Sequence, residues 1–86
     1  MVSKSIKIVN ETGLHARPAA NFIRLASGQK CNVYLKSDDK KVDAKSILGI
    51  LSLAISKGSV VEIITDGEDE DVALITLTDY VSSLKD

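Results

Sequence analysis

The sequence predicts an α+β protein: a two-layer sandwich of three helices on a four-stranded sheet, in the order β-α-β-β-α-β-α. Short segments of alternating apolar residues mark the strands, and segments of helical periodicity lie between and after them. The breaks between segments hold Gly, Asp and Ser, the residues of turns. With 86 residues, 44% of them hydrophobic and only 3% aromatic, the chain makes one domain, residues 1–86, around a small aliphatic core.

The first strand is expected over residues 2–9, with Ile6 and Ile8 on one face and Ser5 and Lys7 on the other. Residues 10–14 form a loop carrying Gly13. A helix follows over Ala16–Ser27, where Ala19, Phe22, Ile23 and Ala26 recur at helical spacing and Gly28 takes the C′ position. In residues 31–36, Cys31, Val33 and Leu35 alternate against Asn32, Tyr34 and Lys36. Ser37-Asp38-Asp39 then turns the chain into a short strand, Lys40–Asp43, to make a hairpin. Ser46 caps a short segment, 47–53, that is apolar nearly all round and weakened by Gly49. Gly58 ends that region. Residues 60–65 form the fourth strand, with Val61 and Ile63 on one face, and Asp66-Gly67 turns. An acidic stretch, 68–71, suits the start of the last helix, whose buried stripe is Ala73, Leu74, Leu77, Val81 and Leu84.

Several function classes are excluded early. The formal charge is −1, and no basic stripe alternates with aromatics, so direct nucleic-acid binding is not expected. The single cysteine, Cys31, allows no internal disulfide, suits a reducing cytoplasm, and reads as a small buried hydrophobe. The first residues lack the apolar core of a signal peptide, and no stretch approaches the ~20 apolar residues that span a bilayer. A cytoplasmic location without membrane insertion follows. One histidine and one distant cysteine make no metal-ligand set, so neither metal nor other cofactor is expected. Nothing points beyond a monomer.

The chemistry concentrates at the only histidine, His15, within Thr12-Gly13-Leu14-His15-Ala16-Arg17-Pro18-Ala19-Ala20. Gly13 frees the backbone for a bend. Pro18 lacks an N–H and fits the first turn of a helix, which places the helix start near Ala16 and His15 at the cap. Unpaired N–H groups and the positive end of the helix dipole then converge on the imidazole, with the Arg17 guanidinium two residues away. This is an anion-binding corner containing a nucleophile. The dipole and Arg17 both disfavour imidazolium, so His15 is expected to titrate below an ordinary histidine. Ser46, by itself, is a good helix cap.

The segment Gly13-Leu14-His15-Ala16-Arg17-Pro18-Ala19 resembles the active-site motif of the HPr family, histidine-containing phosphocarriers of the bacterial phosphoenolpyruvate-dependent sugar phosphotransferase system. Lys45-Ser46-Ile47-Leu48-Gly49-Ile50-Leu51-Ser52-Leu53 resembles that family's regulatory serine site, and length and element order agree over essentially the whole chain. The resemblance implies an open-faced sandwich with four antiparallel strands and three helices. It implies that His15 accepts a phosphoryl group on Nδ1 from Enzyme I and passes it to IIA domains of sugar transporters, making the protein a phosphorylated intermediate and no turnover catalyst. Arg17 and the backbone N–H groups near Ala16 would hold the phosphate oxygens, with Pro18 and Gly13 as geometric supports. It further implies phosphorylation of Ser46 by an HPr kinase/phosphorylase, carbon catabolite repression through the catabolite control repressor, and a docking patch of Ile47, Leu48 and Leu51 extended by Ala20 and Arg24. The Ile47-Leu48-Gly49 context resembles members from bacteria with low-GC Gram-positive-type regulation, although Leu48 and Leu51 stand where that group often has methionine, and Ala54 where glycine is common. The competing reading is a regulatory HPr-like module acting through phosphorylated Ser46; relatives of that kind have lost the histidine, which this sequence keeps.

Overall fold

The computed structural model describes residues 1–11, 13–14 and 16–84, Ala16 through its backbone alone. Its elements are β1 (Val2–Lys7), α1 (Ala16–Ser27), β2 (Asn32–Ser37), β3 (Lys40–Asp43), α2 (Ile47–Ser52), β4 (Val60–Asp66) and α3 (Glu70–Ser82). The strands form one antiparallel sheet in the order β1-β4-β2-β3, so β4, the last strand in the chain, is central. The order β-α-β-β-α-β-α and the two-layer architecture are as the sequence predicts.

Register decides which strand residues reach the core. Ile6 lies opposite Val61, Leu35 opposite Ile63, and Val33 opposite Thr65, so these residues share a face. Val33, Leu35, Val61 and Ile63 are fully buried there with Ala19, Phe22 and Ala26 of α1, Ile50 of α2, and Ala73, Leu77 and Val81 of α3. The helix-free face carries a polar row, Ser5, Glu62, Lys36 and Lys41, across all four strands. Lys41 Nζ stands 4.4 Å from the centre of the Tyr34 ring, close enough for a cation–π contact.

The departures from expectation are local, and those at the end of β1 and at the start of β2 have a hydrogen-bond partner behind them. The first strand ends at Lys7, not at residue 9. Ile8 is buried, but its N–H donates to Ser59 O at 2.8 Å and its carbonyl accepts from Gly58 N at 2.7 Å, which ties it to the loop before β4. Cys31 precedes β2 because its N–H donates to Asp69 Oδ1 at 2.9 Å, while Ser37 joins the strand opposite Lys40. The hairpin turn is therefore Asp38-Asp39, with Asp38 at a φ of +54°. Gly28 follows α1 without a left-handed conformation; its N–H bonds to the Arg24 and Leu25 carbonyls, each at 3.2 Å. The segment 47–53 is helical only to Ser52, with Leu53 as the cap, and α3 starts at Glu70 rather than in 68–69. β4 runs one residue further than expected, to Asp66. In the expected stripes, Ile23 and Leu74 are half-buried against the core. Leu84 also packs on the core but lies beyond the end of α3.

Asp69 sits at the N-cap of α3 yet makes no cap bond with its side chain. Its carboxylate instead accepts from Lys30 N at 2.9 Å and Cys31 N at 2.9 Å, anchoring the α1–β2 connection. These bonds, Lys30 N–H foremost, hold the carboxyl below its ordinary value of 3.8. Burial, reinforced by the same carboxylate, pushes the Cys31 thiol up, so Cys31 stays a protonated core residue. A carboxyl depressed by folding stabilises the fold above its unfolded pKa, and that contribution disappears as the pH falls through the folded value. Urea unfolding should therefore show a loss of stability below about pH 4 that is smaller in Asp69→Asn. Identical acid sensitivity in the two proteins would show that this anchor contributes nothing.

Candidate functional site

Helix α1 begins at Ala16, as the placement of Pro18 predicts: Pro18 is third in the helix, where an absent N–H leaves no bond unmade. Its carbonyl accepts from the Tyr80 hydroxyl at 3.2 Å, fastening the first turn of α1 to α3. Arg17 is exposed at the same end. His15, the expected phosphoryl acceptor, and Thr12 lie outside the described residues, as does the side chain of Ala16.

The loop leading to position 15 is tightly held. Gly13 has a φ of +61°, the left-handed region that the sequence assigned to a glycine bend. A methyl group at Gly13 would run into the Ile55 carbonyl oxygen and come within 2.8 Å of Ser56 Cα. Leu14, which the sequence reading gave no role, is 1% exposed and anchors the loop in the core. Its N–H donates to Ile55 O at 3.4 Å. Asn10, Ile55 and Tyr80 also escaped that reading, because their partners are distant in sequence or are backbone atoms. At the surface, Lys57 Nζ and Glu11 Oε1 pair at 2.7 Å and join the same two loops.

Ser46 caps α2 as predicted: its Oγ accepts from Gly49 N at 3.2 Å. The approach to it is fixed by Asp43, whose carboxylate accepts from Lys45 N at 2.9 Å and whose carbonyl accepts from Ser46 N at 3.1 Å. Lys45 Nζ donates to the Gln29 and Cys31 carbonyls at 3.3 and 3.0 Å. Gly49 has a packing purpose beyond its helix-weakening effect, because a Cβ there would lie only 3.3 Å from Asp43 O and from Val42 Cβ. The helix thus rests close on β3 and turns its larger apolar residues outward. Ile47 is 42% exposed, Leu48 78% and Leu51 41%, whereas Ile50 is buried. Ala20 and Arg24 are exposed on α1, which packs against α2, so the five expected docking residues fall on two touching elements.

Between α2 and β4, Ala54 adopts a φ of +50°. An L-residue with a Cβ pays roughly 1–2 kcal/mol there, and glycine gives back about 0.4–1 kcal/mol through its more flexible unfolded chain. Ala54→Gly should therefore raise stability by about 0.5–1 kcal/mol in urea denaturation. A neutral or destabilising result would show that Ala54 is unstrained.

Among the described residues, no group of His, Cys, Asp and Glu is arranged to hold a metal ion, and no helix is long and apolar enough to cross a membrane. What remains is a constrained loop at a helix start beside an exposed apolar helix, on an open-faced sandwich. These features define a small open-faced sandwich with a constrained surface loop and an exposed apolar patch. The chain belongs to the HPr family: the family profile "PTS HPr component phosphorylation site" matches residues 2–83. The phosphocarrier protein HPr of Neisseria meningitidis is 44% identical over 82 residues, covering 95% of this chain and 92% of that protein. The HPr-like protein Crh of Bacillus subtilis is 48% identical over 94% of this chain and 95% of its own length. A crystal structure of Crh shows a dimer with a swapped domain and superposes with a TM-score of 0.76. The HPr structure from Thermoanaerobacter tengcongensis has a TM-score of 0.94 at 47% identity, covering 96% of this chain and 93% of that one.

Proposed function

We propose that the protein carries phosphoryl groups on His15, accepting them from Enzyme I and delivering them to IIA domains of sugar transporters. The observation that carries this reading is the presence of His15 in the Gly13–Ala19 motif, directly ahead of the start of α1. The phosphorus–donor bond breaks as a bond forms to the neutral imidazole Nδ1. Such a transfer needs positioning and charge stabilisation more than covalent help. The N–H groups of the first turn, at Ala16 and Arg17, and the Arg17 guanidinium offer donors to the phosphate oxygens. Their hold must stay moderate, since the group has to leave again. The protein is then a phosphorylated intermediate in the cytoplasm, working as a monomer. Ile47, Leu48, Leu51, Ala20 and Arg24 make its docking face.

Ser46 would add regulation. Its Oγ sits at the start of α2, beside the exposed Ile47 and Leu48. A phosphate there brings about −1.5 to −2 charges to the rim of an apolar face, which disfavours acidic partners without touching His15. An HPr kinase/phosphorylase would place it, and the modified protein would engage the catabolite control repressor. The 48% identity to Crh favours a second reading, in which this regulatory role is the main one.

One assay separates the two. The protein is incubated with phosphoenolpyruvate and Enzyme I, and a parallel sample with ATP and HPr kinase. Acid-labile, alkali-stable phosphate on His15 is expected in the first. Arg17→Ala should slow both its acquisition and its transfer while leaving the fold intact. Label on Ser46 alone would overturn the carrier reading in favour of the regulatory one.

A further inference from the structure

One peptide group next to the reactive position is held from both sides. The Gly13 carbonyl and the Leu14 N–H belong to the same peptide plane. The carbonyl accepts from Asn10 Nδ2 at 2.9 Å, and the N–H donates to Ile55 O at 3.4 Å. Asn10 closes the turn a second time, because its own carbonyl accepts from Gly13 N at 3.3 Å. It does this from a buried position, 5% exposed, where an amide is costly unless it is bonded. Leu14 is buried and Gly13 is packed on the Ile55–Ser56 backbone, so packing as well as the two hydrogen bonds holds the plane.

We infer that Asn10 is a positioning residue for phosphoryl transfer at position 15, acting through the Gly13–Leu14 peptide plane. The inference rests on the carrier reading above. Asn10 lies on the loop after β1, outside the helices α1 and α2 that carry Arg17 and the exposed residues of the docking face. It therefore bears on the orientation of the acceptor and leaves the docking face alone. Group transfer is sensitive to such orientation, since a displacement near 1 Å can cost up to about a hundredfold in rate.

The test measures kcat and KM of Enzyme I for the carrier with Asn10→Leu, which keeps the branched shape and removes the donor. Asn10→Ala serves if the leucine variant does not fold. Thr65→Val is the stability control: Thr65 is buried at the far end of β4, and its hydroxyl donates to Glu70 O at 2.8 Å. Expected results are a fall in kcat of roughly tenfold with KM unchanged, and faster amide exchange at Leu14. Thr65→Val should lower the thermal midpoint and leave both constants as in the unaltered protein. Unchanged kcat in the Asn10 variants, a loss confined to KM, or an equal loss in Thr65→Val would each overturn the inference while the carrier reading stands. If the unaltered protein takes no phosphate on His15, both fall together.

Discussion

Gly13→Ala is expected to destabilise the protein by about 2–5 kcal/mol, through two additive sources. Left-handed backbone costs an alanine roughly 1–2 kcal/mol, and a methyl group forced into packed atoms costs about 1–3 kcal/mol. Both apply here, since φ is +61° and the added Cβ meets the Ile55 carbonyl and Ser56 Cα. The loop has little room to relax, because Leu14 is buried and its N–H is bonded to Ile55. Against a total stability of about 5–10 kcal/mol for a chain of this size, the loss is a large fraction. Gly28→Ala is the matched control. Its added Cβ would meet nothing closer than the Leu25 carbonyl at 3.5 Å, and its φ is not positive, so little change is expected. Urea denaturation of both variants checks the pair. Equal stabilities would mean that the loop gives way freely and does not hold position 15 in place. Phosphoryl transfer should fall in Gly13→Ala even well below its unfolding midpoint, because the displaced backbone is the one leading into the acceptor.

His15→Ala should abolish phosphoryl acceptance from Enzyme I altogether. The chain has one histidine, so no second imidazole can substitute, and the transfer has no other nitrogen nucleophile within the motif. The far-ultraviolet spectrum and urea midpoint should stay close to those of the unaltered protein, since histidine is a weak helix cap and alanine costs little more at that position. Labelling from phosphoenolpyruvate, followed by acid and alkali treatment, reads the result. Phosphate incorporated at the ordinary rate would place the acceptor elsewhere. The same variant should still take phosphate from ATP and HPr kinase at Ser46, whose Oγ accepts from Gly49 N and whose N–H donates to the Asp43 carbonyl, on another part of the chain. Loss of both modifications together would indicate a collapsed fold.

Much of this protein was legible in one dimension. The alternation of Val33 and Leu35, and of Val61 and Ile63, identified the buried sheet face, because side-chain direction in a strand follows sequence with a period of two. Pro18 located the start of α1, and Ser46 the start of α2, because a missing N–H and a side-chain acceptor act on backbone groups within one helical turn. The motif around His15 pointed to the family for the same reason: its parts are neighbours in the chain.

Strand ends were less legible. Whether Ile8 or Cys31 joins the ladder depends on competing partners, Ser59 and Asp69, that lie far along the sequence. A carboxylate expected to favour its own helix start instead anchors another connection. Of the apolar residues in 47–53, composition alone could not say which face out. The close approach of Gly49 to β3 decides that Ile50 is buried and Leu48 exposed. The element order, the aliphatic core, the two helix starts and the family motif could all be read from the chain alone, since each depends on residues a few positions apart. The fold alone settled that Ile55 grips the peptide leading to position 15, because that contact joins segments some 40 residues apart, and that Ala54 takes a positive φ.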